Sequence, residues 1–286
     1  MLKKTILLIL FVILPVPLWA APALWQVDVA QGRFWLMGSV HVGEHSSTPA
    51  LAAIAQRLSD VDTLVEEVPP SELQPSHMQQ ALRQYGLAAQ GLKASLSAKA
   101  YQRLSQEAKQ LGVPMAQLEP LRPWLAVMTL MQVALKHAGL QPELGIDMQL
   151  SAIARQHHWQ ITGLETVQRQ FAAVSATDKY ADAMVNDGAD DMKTLSSKLK
   201  PVLKAWQQGD IQPMRQLCPL SEGQGPAYQY MHDVTLKARN LEWLPKLKAL
   251  AEGNNKLVVV GMAHIICTDG LLSMLKQHGA HIQRLQ

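Results

Sequence analysis

Val258–His264 reads VVVGMAH. A run of β-branched residues, Val258 to Val260, stops at Gly261, and His264 follows three residues later. This is the pattern of a buried strand that delivers a side chain into a cleft. The chain uses the same design near its start, where Phe34–Met37 (FWLM) runs into Gly38, Ser39, Val40 and His41. Two strand-Gly-x-x-His units so far apart predict one site assembled from both ends of the chain.

The segments between them have the rhythm of an α/β protein. LWQVDV at 24–29 and RFWLM at 33–37 read as a hairpin that presents His41 at a strand end. A helical spacing of apolar residues over 49–58 precedes DTLVEEV at 62–68, a strand stopped by Pro69 and Pro70, so strand, helix and strand form the unit of a parallel sheet. A long, mostly helical stretch follows. It includes a helix from Ser97 to Leu111 and a second, apolar on nearly every side, from Trp124 to His137. The second reads as buried, with Met128 and Met131 filling core gaps in preference to forming a ligand-facing stripe. A helix at 145–157, a short strand at 159–164 and helices at 167–185, 191–208 and 228–250 lead to the strand at 257–260, a helix at 271–278 and a last strand at 282–285. The fold class expected is α/β: a central mixed, partly parallel β-sheet flanked by helices, with a large helical insertion between the N- and C-terminal strand motifs.

The 286 residues, 48% hydrophobic and 17% charged, suit a globular chain with a sizeable core. Lys3 and Lys4, an apolar run from Ile6 to Leu14, two prolines and the small residues Ala20, Ala21 and Ala23 read as a secretory signal peptide over residues 1–21. One domain is then expected over 22–286. The expected location is periplasmic or secreted, with an uncleaved membrane anchor as the minority alternative. Without Lys3 and Lys4 the 26 basic residues fall to 24 against 23 acidic, a balance that implies no nucleic-acid partner. Cys218 and Cys267 are the only cysteines. In an oxidising compartment they are candidates to pair, and Cys267, three residues past His264, is alternatively placed to approach a metal.

His41 and His264 offer neutral imidazoles, and DTLVEEV carries carboxylates at the C-terminal end of a parallel strand, where such sheets place their sites. Strand alternation sends Glu66 and Glu67 to opposite faces, so one of the two is expected in the cleft. Two imidazoles and a carboxylate make a divalent-metal site with positions left for water and substrate. Glu44 and His45 follow His41 closely enough to join it. Plainer readings stand beside these: Asp147 as a helix-initiating residue, Glu165 as a strand-end carboxylate, Arg239 as a helix surface charge. No His-Glu-x-x-His helix, nucleotide-binding glycine loop or Gly-x-Ser-x-Gly elbow occurs, which argues against the commonest zinc proteases, nucleotide-binding proteins and serine hydrolases.

The ordered set LWQVD (24–28), LMGSVHVG (36–43), DTLVEEV (62–68), RPW (122–124), GIDMQL (145–150), GLETVQRQ (163–170), ARNLEW (238–243) and VVVGMAHIICTDGLLSMLKQHG (258–279) resembles the TraB/GumN family, which includes the TIKI metalloproteases. The resemblance implies an exported or membrane-associated α/β protein whose two Gly-x-x-His motifs and a strand-borne glutamate form the site. It implies metal ligands at His41, His264 and Glu67, with Glu67 preferred to Glu66, and it matches Arg239 with Asn240 to the family's Arg-Asn pair and Glu165 to its Leu-Glu-Thr motif. The chain departs from the family pattern at Ile265, Ile266 and Cys267. The activity expected is peptide-bond hydrolysis dependent on manganese, cobalt or zinc, with Glu66 or Glu165 accepting a proton from water and Arg239 meeting the oxyanion. The substrate expected is a peptide or protein, with membrane or envelope association. A non-catalytic metal- or ligand-binding protein and an envelope-assembly accessory protein, its 124–137 helix contacting a partner, are the alternatives.

Overall fold

The computed structural model describes residues 21–43, 47–218, 225–253 and 255–285. Residues 1–20 of the signal peptide read at 1–21, and the Glu44–His45 pair, lie outside these residues. The sheet has six strands in the order β4-β3-β5-β2-β1-β6, formed by Leu24–Val29 (β1), Gly32–Ser39 (β2), Thr63–Glu66 (β3), Gln160–Gly163 (β4), Lys256–Gly261 (β5) and His281–Arg284 (β6). β1 and β2 form the expected antiparallel hairpin, and β6 joins β1 antiparallel. The other pairings are all parallel: β2 with β5, β5 with β3, and β3 with β4.

The decisive feature is where β5 inserts. The last strand of the parallel set lies between the first two, with Gly38 opposite Val260, Ser39 opposite Gly261, and Val65 opposite Val258. The β2-to-β3 crossover therefore leaves a slot, and the all-apolar Leu257–Val260 fills it because a central strand is buried on both faces. All three strands end at one edge, so their C-terminal side chains meet.

Helices cover both faces and fill the insertion. They are Thr48–Arg57 (α1), Pro75–Ala81 (α2), Ala98–Gln110 (α3), Met115–Leu118 (α4), Pro123–His137 (α5), Ile146–Gln156 (α6), Val167–Ser175 (α7), Ala181–Gln207 (α8), Pro226–His232 (α9), Ala238–Leu250 (α10), Met262–Ile266 (α11) and Leu271–Gln277 (α12). The main core surrounds the sheet, and a smaller one, including Leu104, Leu118, Val127, Leu130 and Val185, lies among the insertion helices. Ser97 and Thr166 cap α3 and α7 by accepting the N–H groups of Ala100 and Arg169.

Three expectations need correction. The break expected between 185 and 191 falls earlier, in a 3-10 segment at Ala176–Tyr180, and α8 runs 27 residues through Gly188 and Pro201. Gly188 is a contact point rather than a stop: a Cβ there would come 2.8 Å from Val127 Cγ1, so its absence lets α8 lie against α5. The helix expected over 228–250 contains a π-helical turn at Asp233–Lys237, just ahead of Arg239 and Asn240. Finally, α5 is not buried on every side, because Met128 is 45% exposed, whereas Met131 does pack against the core.

Cys218 and Cys267 form a disulfide, Cα to Cα 5.5 Å, tying the segment after α8 to the residue that follows α11. The disulfide thus fastens the turn that follows His264.

Candidate functional site

A cleft of about 710 Å³ opens at the C-terminal edge of β2, β3 and β5, and His41, Glu66, Glu67, Asp147, Arg239, Gly261 and His264 line it. Both Gly-x-x-His glycines have local reasons. A Cβ on Gly38 would overlap the Met262 side chain and lie 3.1 Å from its Cα, so glycine lets β2 pass under α11. A Cβ on Gly261 would point into the site itself, 3.2 Å from Glu67 Oε1, 3.6 Å from His41 Nε2 and 3.7 Å from His264 Cδ2. The pair of histidines and the glutamate inferred from sequence therefore converge on one glycine.

Each histidine is oriented by a different partner. His41 Nδ1 faces Asp147 Oδ2 at 3.3 Å, which leaves Nε2 toward the cleft. The first turn of α6 is held against this strand end because the Ile146 N–H donates to Val40 O. Asp147 thus does more than initiate a helix. His264 lies buried on α11 with Nδ1 2.7 Å from Asn240 Oδ1. The Asn240 amide nitrogen donates to the carbonyls of His264 and Asp269, which fixes Oδ1 as the group facing the ring. His264 must then carry its proton on Nδ1 and accept at Nε2, where Arg239 Nη1 stands at 2.9 Å. His264 also packs on Trp243, ring centroids 4.4 Å apart.

Arg239 is the hub of the buried charges. Nη2 donates to Glu67 Oε2 and Glu165 Oε1, both at 2.5 Å, Nε donates to Glu165, and Nη1 donates to Thr235 O as well as facing His264. All its donors are engaged within the cluster, so in this arrangement none is free for an oxyanion. Glu165 is completed by Trp243 Nε1, and Glu67 by the Gly261 N–H at 2.7 Å and by Gln170 Nε2. Glu66 turns toward α6 and accepts from Ser151 Oγ at 2.5 Å. Alternation does separate the two glutamates, yet both reach the cleft wall, because Glu67 lies just beyond the strand's end.

These neighbours set the charges. Burial opposes ionisation of Glu67, but His264, Arg239, His41 and the Gly261 N–H outweigh it and hold the carboxyl far below the usual range. Burial raises Glu165 despite Arg239, and raises Glu66 to about 7, with Ser151 and Arg155 opposing and Asp147 adding to the rise. Burial also pushes His264 down to about 3, helped by Arg239 and His41 and resisted by Glu67. For His41 burial acts in the same downward direction, but Asp147 and Glu67 prevail and raise it to about 9. The His41 ring is enclosed by the cleft walls yet 63% open to the solvent within them, so the Asp147 pairing is partly screened.

The donor set suits a divalent cation in kind. His41 Nε2 and Glu67 Oε1 face the space beside Gly261, and Asp147 stands behind His41 as a carboxylate behind a ligating imidazole does. His264 Nε2 joins them only if Arg239 Nη1 releases it. Among the described residues, no three His, Cys, Asp or Glu side chains stand in ligand position as placed. Sequence reading undervalued Asp147, whose place in the first turn of a helix has an ordinary explanation, and passed over Ser151 and Gln170, which carry no sequence signal.

Among known proteins, the chain is 26% identical over 267 residues to the uncharacterized protein YbaP of Escherichia coli strain K12, covering 91% of this chain and 97% of that one. It is 25% identical over 241 residues to YbaP of Shigella flexneri, covering 84% and 87% respectively. No solved structure matches it. Residues 23–284, which hold every side chain of the site, match one family across their whole length, and the chain belongs to the TraB/PrgY/gumN family.

Proposed function

We propose that the protein is an exported, metal-dependent hydrolase that cleaves a peptide bond in the periplasm. The observation that carries this reading is the convergence of His41 Nε2, Glu67 Oε1 and His264 on the space beside Gly261. A divalent ion held there by these three residues would supply an activated water and polarise the scissile carbonyl. Asp147 orients His41, Asn240 keeps the His264 lone pair on Nε2, and Arg239 keeps Glu67 ionised. Glu66 is the proton carrier: it lines the cleft, and no arginine hydrogen-bonds to it as one does to Glu67 and Glu165. The Cys218–Cys267 disulfide supports an oxidising compartment. No helix among the described residues is long and apolar enough to cross a membrane.

Metal content of the purified protein, of His41→Ala and of the His41→Ala/His264→Ala pair, followed by a peptide-library digest with and without added Mn²⁺, Co²⁺ or Zn²⁺, tests this. Stoichiometric metal and metal-dependent cuts are expected in the parent and neither in the double variant. A double variant that still binds one equivalent overturns the site. The saturation of Arg239 favours a second reading, a metal- or ligand-binding protein without turnover. Tight metal binding with no cut across the library selects that one.

A further inference from the structure

Arg239 occupies the one position on His264 through which that ring could join the other ligands. Asn240 keeps the His264 proton on Nδ1, so the ring has a single lone pair to offer, at Nε2, and Arg239 Nη1 already lies 2.9 Å from it. A guanidinium stays protonated and only donates, while a metal ion takes an imidazole through that same lone pair. The two exclude each other at His264. They do not exclude each other at Glu67, whose Oε2 accepts from Arg239 Nη2 while Oε1 accepts the Gly261 N–H and faces the space beside it. The remaining anchors of Arg239 also lie apart from His264: Nε and Nη2 donate to Glu165, and Nη1 donates to Thr235 O. Thr235 belongs to the π-helical turn at Asp233–Lys237 and lines the cleft. Giving up His264 therefore costs Arg239 one hydrogen bond of a set and leaves the side chain pinned by the others.

We propose that Arg239 is a built-in stand-in for the metal: it yields the His264 lone pair to a divalent ion, and the Nη1 N–H freed by that exchange becomes the donor to the acyl oxygen of the substrate. The inference rests on the metal-site reading above and adds an order to it. Arg239 and His264 both line the cleft and both are buried, so the freed N–H is left at the cleft wall, cationic and without a protein acceptor. Such a donor favours an oxygen that carries developing negative charge. In the closed arrangement every Arg239 donor is engaged, and the site stays idle until the exchange has taken place. The exchange also has an electrostatic cost, because the guanidinium remains beside the incoming ion. Removing the Arg239 charge should therefore tighten ion binding, where the loss of a merely structural arginine would loosen it.

Diamagnetic Zn²⁺ added to the intact chain tests this by nitrogen-15 NMR, without any turnover. At one equivalent the His264 Nε2 and Arg239 Nη1 signals should change together, while the His264 Nδ1–H held by Asn240 persists. Arg239→Gln should bind Zn²⁺ at least about tenfold more tightly than the parent. Acetate, a carboxylate standing in for the oxyanion, should bind the Zn²⁺-loaded parent at least about tenfold more tightly than the zinc-free protein and shift the Arg239 Nη1 signal, and most of that gain should be lost in Arg239→Gln. Zinc bound with the His264 Nε2 signal unmoved, or equal or weaker zinc affinity in a folded Arg239→Gln, overturns the exchange and leaves the hydrolase reading standing. An acetate gain that is absent, or kept in full by Arg239→Gln, overturns the donor role. No zinc binding in parent and variant alike defeats the metal-site reading, and the exchange with it. The NMR titration uses the parent alone, so it decides the exchange even where Arg239→Gln does not fold.

Discussion

Asn240 Oδ1 accepts the Nδ1 proton of His264 at 2.7 Å while the same amide donates to the carbonyls of His264 and Asp269, the first buried and the second partly so, and one side chain thus sets both the tautomer of His264 and the path of the turn that carries it. Asn240→Ala leaves the ring N–H and both carbonyls without partners in a buried site. Each unsatisfied group costs roughly 1–3 kcal/mol, and partial relaxation brings the total expected in urea unfolding to about 2–4 kcal/mol. Nitrogen-15 spectra should show His264 losing its Nδ1–H preference. A loss under about 1 kcal/mol with the tautomer unchanged would assign the orientation to something else.

Glu66 makes stability fall as pH rises. Its folded pKa, about 7, lies above the ordinary 4.5 because burial disfavours the carboxylate. The folded state therefore binds the proton more tightly than the unfolded chain. The sign is fixed by this: no penalty below about pH 4.5, a growing penalty between there and 7, and a constant one above. Glu66→Gln should accordingly stabilise the protein by about 2–3 kcal/mol at pH 8 and leave it unchanged at pH 4. Urea midpoints at the two pH values, compared between parent and variant, check the difference, and an equal shift at both would remove Glu66 as its source.

The sequence carried the ends of the site better than its middle. Val258–His264 and Phe34–His41 are legible because a buried parallel strand writes itself as an unbroken apolar run, and the glycine and histidine beyond it stand out against that run. The placing of β5 between β2 and β3 is not legible, since three apolar strands admit several orders and only the pairing chooses among them. The engagement of Arg239 is hidden for a similar reason: an arginine on a helix reads as surface until Glu67 and Glu165 arrive from two other strand ends. Met128 misled because helical spacing of apolar residues cannot distinguish a core face from a cleft wall when both are apolar.

Breaking the Cys218–Cys267 bond is expected to separate stability from the site. The 49-residue separation predicts a loss of about 2–4 kcal/mol for Cys218→Ser/Cys267→Ser. The turn keeps other anchors: Arg215 donates to Ile266 O, His232 Nε2 lies 2.8 Å from Thr268 O, and Asn240 donates to Asp269 O. Affinity for Mn²⁺ should therefore stay within about threefold of the parent at temperatures where both are folded. A collapse of metal binding in a folded double variant would make the disulfide part of the site's geometry.

Gly261→Ala tests the site with one methyl group. The Gly261 φ of −49° is open to alanine, so the backbone bears no strain. The new Cβ stands 3.2 Å from Glu67 Oε1, a tight contact that a shift of a few tenths of an ångström relieves, and the expected stability loss is about 1 kcal/mol or less. That methyl nevertheless occupies the space faced by His41 Nε2 and Glu67 Oε1, where an ion held by both would sit. Metal affinity should fall at least about tenfold while the melting temperature barely moves, the reverse of the disulfide variant. Calorimetric titration with Mn²⁺ reads the one and thermal unfolding the other. An alanine variant that binds metal as the parent does would move the ion away from Gly261, and with it the role of both Gly-x-x-His motifs.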